Sequence, residues 1–383
     1  MGSGGPVGIV GGGPAGAELA RRLAEAGIAC VLYEAAPDRA KPCGGGLTPR
    51  ALGLTPPSVR EATRGRPVFR ITSRSPSERA FELRLSEPIT IVSRKEFDHQ
   101  LRRSAAEAGA KVVYRRVRAV ERRNGFFLID GRERYPLLAG AGGFNCPVAR
   151  ALAGPLPSQD LAASVGYCLD GGHDAGIVIQ FVAGLAGYLW FFPGPSAASA
   201  GLAGPAHGFS ALRAETILKN FIGRLAPGQA LNRRYAWAAP SLRPETFDAR
   251  PVAGENWLLV GDAAGLCDPI TGEGIAHALG SASLAARAIR AGDLGSYRPE
   301  LEKEIIGNLR RAAVMKEEFF KPWFLRLGHL VMSGSAAAND LCRRFAEGQI
   351  SYRDLKPDSY RILPRALLQV LGSMLGRAGM TGF

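Results

Sequence analysis

Metal-binding residues are scarce in this chain. Its 383 residues include five histidines and six cysteines. The histidines form no ligand pattern, and Cys30, Cys43, Cys146, Cys168, Cys267 and Cys342 never stand in C-x-x-C spacing. No metal centre is expected. The cysteine usage suits a reducing, cytoplasmic compartment. Strand-forming residues begin almost at once, at Val7, so no secretory leader is expected. Internal repeats and low-complexity tracts are absent too. Acidic residues are outnumbered, 34 against 48 Lys and Arg, for a formal charge of +14. That excess suits solubility, an anionic cofactor or an acidic membrane surface. It is spread along the chain without a nucleic-acid recognition motif, so no nucleic-acid partner is expected.

From Ala175 to Leu212 there is no Asp, Glu, Lys or Arg. The stretch is long enough to span a bilayer. However, Pro193, Pro195, Pro205, several glycines and Gln180 interrupt it, which argues against a transmembrane helix. Buried strands around an apolar cavity account for it better.

What is present is organised around Val7 to Glu34. A strand-like Val7-Gly8-Ile9-Val10 leads into Gly11-Gly12-Gly13-Pro14-Ala15-Gly16, then a helical run to Gly27, then Cys30-Val31-Leu32-Tyr33-Glu34. Gly11, Gly13 and Gly16 fill G-x-G-x-x-G: tight turn, close approach to a pyrophosphate, and helix-on-strand packing. Pro14 suits a first helical turn, whose free N–H groups favour an anion. Glu34 ends the second strand, where a carboxylate takes the ribose hydroxyls of an adenosine.

A second motif is Trp257-Leu258-Leu259-Val260-Gly261-Asp262, then Asp268-Pro269-Ile270-Thr271-Gly272-Glu273-Gly274-Ile275 and a small-residue helix to about Arg290. Asp262 is placed to accept from sugar-alcohol hydroxyls. A nicotinamide dinucleotide has no linear polyol and FAD has its ribityl chain, so the second contact favours FAD. A helix N-terminus near Gly274 would stabilise negative charge on the reduced ring by about 1–2 kcal/mol.

Between the motifs, residues from Pro67 to Arg94 alternate like strands at Val68–Ile71, Phe81–Leu85 and Ile89–Val92. A helix follows with Phe97, Leu101 and Ala105 on one face, and Lys111–Tyr114 reads as a third parallel strand. Val117–Asp130 and Tyr135–Ala139 look like a small antiparallel ribbon. Strands are expected at Ser164–Leu169, Ile177–Val182 and Tyr188–Phe192, and a helix over Ala211–Leu225. The last ninety residues are expected to be helical, interrupted by Pro322 and Gly328. Ala366, Leu367, Val370, Leu371, Met374 and Leu375 form an apolar stripe near Arg365 and Arg377; packing on the chain's own domain is preferred to a membrane surface.

Pro42-Cys43-Gly44-Gly45 must be irregular backbone able to pass close to something flat. Cys43 is either a thiol beside a cofactor ring or substrate, or a small packed hydrophobe. Together these motifs resemble the geranylgeranyl reductase family, within the p-hydroxybenzoate hydroxylase-like class of FAD proteins, over most of the first 295 residues. Pro42-Cys43-Gly44-Gly45 and Tyr188-x-Trp190-x-Phe192-Pro193 mark the reductase branch. The resemblance implies an α/β fold: a Rossmann-like FAD-binding domain (1–66, 95–160 and 245–295), an interleaved antiparallel-sheet substrate domain (67–94 and 161–244), and a helical C-terminal region (296–383). It places FAD at Gly11, Gly13, Pro14, Ala15, Gly16, Glu34, Gly44, Gly45, Arg94, Gly261, Asp262, Gly272, Gly274 and Ile275. It makes Cys43 the candidate catalytic residue and lines a prenyl tunnel with Tyr188, Trp190 and Phe192. One departure is Ala141-Gly142-Gly143, where the class carries Ala-Asp-Gly.

The implied activity is saturation of isoprenoid C=C bonds by hydride transfer from reduced flavin, on an apolar prenyl-type substrate. Two rivals share the cofactor fold: a flavin monooxygenase or halogenase, and a membrane-associated electron carrier. The W-x-W-x-I-P form of halogenases is not what stands here. No second nucleotide motif marks an NADPH site, so NADPH and ferredoxin both stay open as electron donor. Peripheral membrane contact and oligomeric state are not fixed by sequence.

Overall fold

The computed structural model describes residues 5–36, 38, 41–171 and 175–378. Val7–Val10 is buried throughout, as a central parallel strand requires. It pairs in parallel with Cys30–Glu34 on one side and Leu137–Gly140 on the other. Lys111–Tyr114 and Trp257–Leu259 extend the sheet in parallel, and short Ala253–Gly254 closes one edge antiparallel. Helix Pro14–Glu25 buries Ala15, Ala17, Leu19, Ala20 and Leu23. It packs between helices Arg94–Glu107 and Ile275–Ala291. Gly16 makes that approach possible: a Cβ there would lie 1.9 Å from the Gly11 carbonyl oxygen.

The second sheet has eight strands, in the order Asn232–Pro240, Leu161–Asp170, Ala197–Pro205, Tyr188–Pro193, Ile177–Phe181, Gly65–Arg74, Ala80–Val92 and Gly46–Leu47. All neighbours run antiparallel except Ile177–Phe181 beside Gly65–Arg74. The two-residue period sorts its faces. Val178, Leu189 and Phe191 pack with Leu218, Phe221 and Ile222 of helix Ala211–Leu225. Ile177, Ile179, Phe181, Tyr188, Trp190 and Phe192 point to the other face, into a cavity.

Several expectations change in detail. Leu137–Gly140 leaves the ribbon and joins the parallel sheet, where Leu138 and Ala139 are fully buried. The ribbon itself is Val120–Arg123, Phe126–Ile129 and Glu133–Tyr135. The three pieces between Pro67 and Arg94 are two long strands, with a bulge between Val68 and Arg70. Pro322 opens helix Pro322–Gly334 and Gly328 lies inside it, so Gly328 interrupts nothing. In helix Tyr352–Ala378, Ala366 is buried, but Leu367 and Leu371 are 54% and 56% exposed, so the apolar stripe does not pack inward as expected. The side chains of Met374, Leu375 and Arg377 fall outside the described residues. The uncharged stretch forms strands rather than a span. No described helix is long and apolar enough to cross a membrane.

Candidate active site

The glycine turn is built by contacts a side chain would forbid. Gly11 has φ +115°, and a Cβ there would sit 2.4 Å from the Ala141 carbonyl oxygen. At Gly13, by contrast, a Cβ would meet nothing within 4 Å. That open cradle lies at the N-terminus of helix Pro14–Glu25, which no side chain caps. Its first-turn N–H groups are therefore available to an anion. Glu34 is fixed at the same edge: Oε2 accepts from the Gly12 N–H at 2.8 Å and Oε1 from Ala36 at 2.7 Å. Arg102 donates to the Gly12 carbonyl at 3.1 Å.

Asp262 follows the strand Trp257–Leu259 and accepts from Lys41 Nζ at 2.5 Å. Burial alone would lower the Lys41 pKa; Asp262 outweighs it and the net shift is upward. Asp268 shapes the loop beyond. Its Oδ1 accepts from Ile270 and Thr271 N–H at 2.8 and 2.9 Å and from Tyr352 Oη at 3.1 Å. Burial raises its pKa against those donors. Gly272 takes φ +73° at the turn, and Tyr188 Oη donates to the Thr271 carbonyl at 2.5 Å. Helix Ile275–Ala291 then starts without a side-chain cap, and Gly274 and Ile275 line the cavity.

Cys43 is half-buried, with Sγ 3.4 Å from the Gly45 N–H. The buried guanidinium of Arg94 is pinned to Asp98 through Nε–Oδ1 at 3.0 Å and Nη2–Oδ2 at 2.8 Å, and Cys43 lines the same cavity beside it. Burial works against that cation; Asp98 and Cys43 raise its pKa overall. Phe192 lies over the adjoining backbone: a Cβ at Gly44 would come within 2.8 Å of its ring. Trp190 rests on Gly201 and Tyr235 on Gly166, each with ring atoms 2.2 Å from where a Cβ would be. Trp190 Nε1 donates to Ser199 Oγ at 3.3 Å, and Ser199 Oγ lies 2.9 Å from Tyr235 Oη.

One cavity of about 970 Å³ joins these parts. It runs from Glu34 past Gly11, Gly13, Pro14 and Ala15 to Cys43, Gly44, Gly45, Arg94, Asp262 and Gly272, and on to Tyr188, Trp190 and Phe192. Gly16 and Gly261 do not line it. Gly16 packs on Gly11, and Gly261, at φ +57°, stands behind Ala15 with its N–H on Ser281 Oγ at 3.0 Å. Gly142 lines the cavity without a carboxylate. Lys41, Arg102 and Tyr352 were not singled out from the sequence; each meets its partner across a long stretch of chain. No group of His, Cys, Asp or Glu among the described residues could hold a metal.

Residues 5–123 match a family model described as an FAD binding domain. Three proteins are similar along most of the chain. A digeranylgeranylglycerophospholipid reductase from Thermoplasma acidophilum is 27% identical over 76% of this chain and 80% of its own. A geranylgeranyl diphosphate reductase from Rhodobacter capsulatus is 29% identical over 81% and 79%. A menaquinone reductase from Mycobacterium tuberculosis is 28% identical over 86% and 88%. The fold matches a geranylgeranyl bacteriochlorophyll reductase-like structure from Thermoplasma acidophilum, with TM-score 0.72, 23% identity and coverage of 93% and 98%. A flavin-dependent brominase gives TM-score 0.72 at 20% identity, covering 89% and 93%.

The chain carries an FAD-binding domain and is similar along most of its length to prenyl-lipid reductases.

The residues of this flavoprotein fit the cofactor. The Gly13 cradle leaves room at an uncapped helix end for a pyrophosphate. Glu34 stands one strand away for the ribose, and Asp262 lies further along the same cavity.

Proposed function

We propose that this flavoprotein saturates C=C bonds of an isoprenoid substrate. The observation that carries the reading is one of register. Strand alternation delivers Tyr188, Trp190 and Phe192 into the cavity that also holds Cys43 and the glycine turn. The names of the prenyl-lipid reductases similar to it support the substrate class. FAD, when bound and reduced, supplies the hydride. The chain supplies the rest. The Gly11–Gly16 turn and the start of helix Pro14–Glu25 hold the pyrophosphate, Glu34 the ribose and Asp262 the ribityl chain. Lys41 neutralises Asp262 from the cavity side. Gly44 and Gly45 would leave backbone room for the ring system, and Gly272, Gly274 and Ile275, at the start of helix Ile275–Ala291, would hold its reacting portion. Arg94 positions Cys43. The Cys43 thiol lines the same cavity and would supply the proton to an alkene carbon of a bound substrate.

The apolar wall excludes water and needs no polar anchor along a prenyl shaft. Each methylene removed from water contributes about 0.8 kcal/mol. NADPH or ferredoxin serves as the external reductant in this reading. We also assign residues 1–66, 95–160 and 245–295 to the cofactor domain, 67–94 and 161–244 to the substrate domain, and 296–383 to the helical region.

The test is an anaerobic one. Reduced protein is mixed with geranylgeranyl lipids and the flavin absorbance followed, with mass spectrometry of the product. Reoxidation with a product heavier by two hydrogens supports the reductase. The brominase-like fold keeps an oxygen-using enzyme as the rival; substrate-stimulated oxygen uptake without anaerobic reoxidation would select it. Cys43→Ala is expected to keep its flavin and lose turnover by about 10²-fold or more. Full turnover of that variant would remove Cys43 from the chemistry.

A further inference from the structure

From the apolar end of the cavity a ladder of packed rings leads to the protein surface. Phe181 and Phe319 both line the cavity and sit 5.6 Å apart, centroid to centroid. Phe319 meets Phe324 at 5.9 Å, and Phe324 meets Trp323 at 5.6 Å. Trp323 is 56% exposed and Leu327, one turn later on helix Pro322–Gly334, is 52% exposed. This helix packs against helix Tyr352–Ala378, where Ser335 Oγ donates to Gln369 Oε1 at 2.7 Å. The second helix presents its own exposed stripe of Tyr360, Leu363, Leu367 and Leu371. These spacings put each set on one helix face.

Charge follows the same surface. No Asp or Glu occurs from Lys321 to Asn339, nor from Ser359 to Phe383. Arg326, Arg361 and Arg365 are exposed within those segments. An exposed Trp beside leucines, with Arg326 and Arg365 exposed nearby and Arg361 paired to Asp358, has the chemistry of an interfacial anchor for anionic lipid. A protein partner would not require the apolar patch to be continuous with the substrate cavity. A bilayer holding the substrate would.

We propose that helix Pro322–Gly334, flanked by the exposed stripe of Tyr352–Ala378, docks on an anionic lipid bilayer. Trp323 and Leu327 insert, and the Phe324–Phe319–Phe181 ladder admits a prenyl chain directly from the lipid phase. The admission step rests on the prenyl-reductase reading; the docking step does not.

The experiment uses the flavin-loaded full chain. Vesicles of phosphatidylcholine with phosphatidylglycerol, and of phosphatidylcholine alone, are sedimented with wild type and with the variant Trp323→Gln/Leu327→Gln. Both residues are exposed, so retained flavin and an unchanged melting temperature certify the variant. Wild type is expected to bind the anionic vesicles, more weakly as salt rises, and its tryptophan emission to be quenched by brominated lipid. The variant is expected to lose about tenfold or more in binding and to lose the quenching. Turnover of a short, water-soluble prenol should be unchanged in the variant, with KM raised only for vesicle-embedded substrate. Equal binding of variant and wild type, or absence of quenching, overturns the docking. A concentration-dependent dimer abolished by the variant, without vesicle binding, overturns it in favour of a second copy of the chain. Vesicle binding with no turnover of any prenyl substrate retains the docking and refutes the reductase reading.

Discussion

Removing the carboxylate of Asp98 should destabilise this protein more than most single changes near the cavity. The Arg94 side chain is 5% exposed and that of Asp98 10%, and two charge-assisted bonds at 2.8 and 3.0 Å join them. Asp98→Ala leaves a buried guanidinium without its paired carboxylate. Breaking a buried pair from one side costs about 3–5 kcal/mol, because the surviving charge stays desolvated. We expect the lower end, about 3 kcal/mol, since water can follow Arg94 from the cavity it lines. The control is the double variant Arg94→Met/Asp98→Leu, which removes both charges and keeps the volume. It should recover most of the loss. Urea unfolding followed by far-ultraviolet circular dichroism, at fixed flavin, reads both variants. A loss below about 1 kcal/mol in Asp98→Ala, or a double variant as unstable as the single one, would refute the argument that a stranded charge sets the cost.

Gly11→Ala places a side chain at φ +115° and against the Ala141 carbonyl; the expected product is folded protein with little bound flavin, read from the ratio of flavin to protein absorbance. Gly201→Ala drives a Cβ into the Trp190 ring and should cost about 1–3 kcal/mol by overpacking, with a shift in tryptophan emission, whereas an unmoved melting temperature would mean the sheet yields. His329 is buried, with Nδ1 on the Leu325 carbonyl at 2.8 Å and Nε2 facing Ser73 Oγ at 3.1 Å. Burial, aided by Arg79, lowers its pKa, so the neutral ring's contribution is full above about pH 6.5 and is lost as pH falls through the depressed folded value. Melting temperature should therefore drop on acidification in wild type, and by less in His329→Gln.

The parts of the site that were legible in the sequence are those where backbone geometry allows few residues. Gly11 needs its positive φ, Gly16 its close approach, and the strand–turn–helix–strand context carried Glu34 with them. The aromatic triad was legible through the family resemblance, and strand alternation is what sends Tyr188, Trp190 and Phe192 to one face. Ala197–Pro205 was not seen as a strand because it consists of small residues without β-branched side chains. Its composition answers to Trp190, which needs Gly201 bare. Lys41, Arg102 and Tyr352 were silent for a different reason. Their partners lie 221, 90 and 84 residues away, and no local pattern reports such meetings.

The two sheets are threaded through one another, and this constrains how the chain is made. Ile177–Phe181 must find Gly65–Arg74, and Trp257–Leu259 must find Leu137–Gly140, before either sheet is whole. A ribosome that has released residues 5–123 has delivered the glycine turn but not its two remaining parallel neighbours on the Val7–Val10 side. Such a fragment would expose the apolar edge of Val7–Val10 and invite pairing with other chains. Neither half can therefore mature ahead of the other during synthesis, and pairings this distant along the chain make for slow assembly. If flavin bridges Glu34 and Asp262 as proposed, it can be gripped only once the chain has emerged past Asp262, so flavin uptake reports a late stage of folding rather than its beginning.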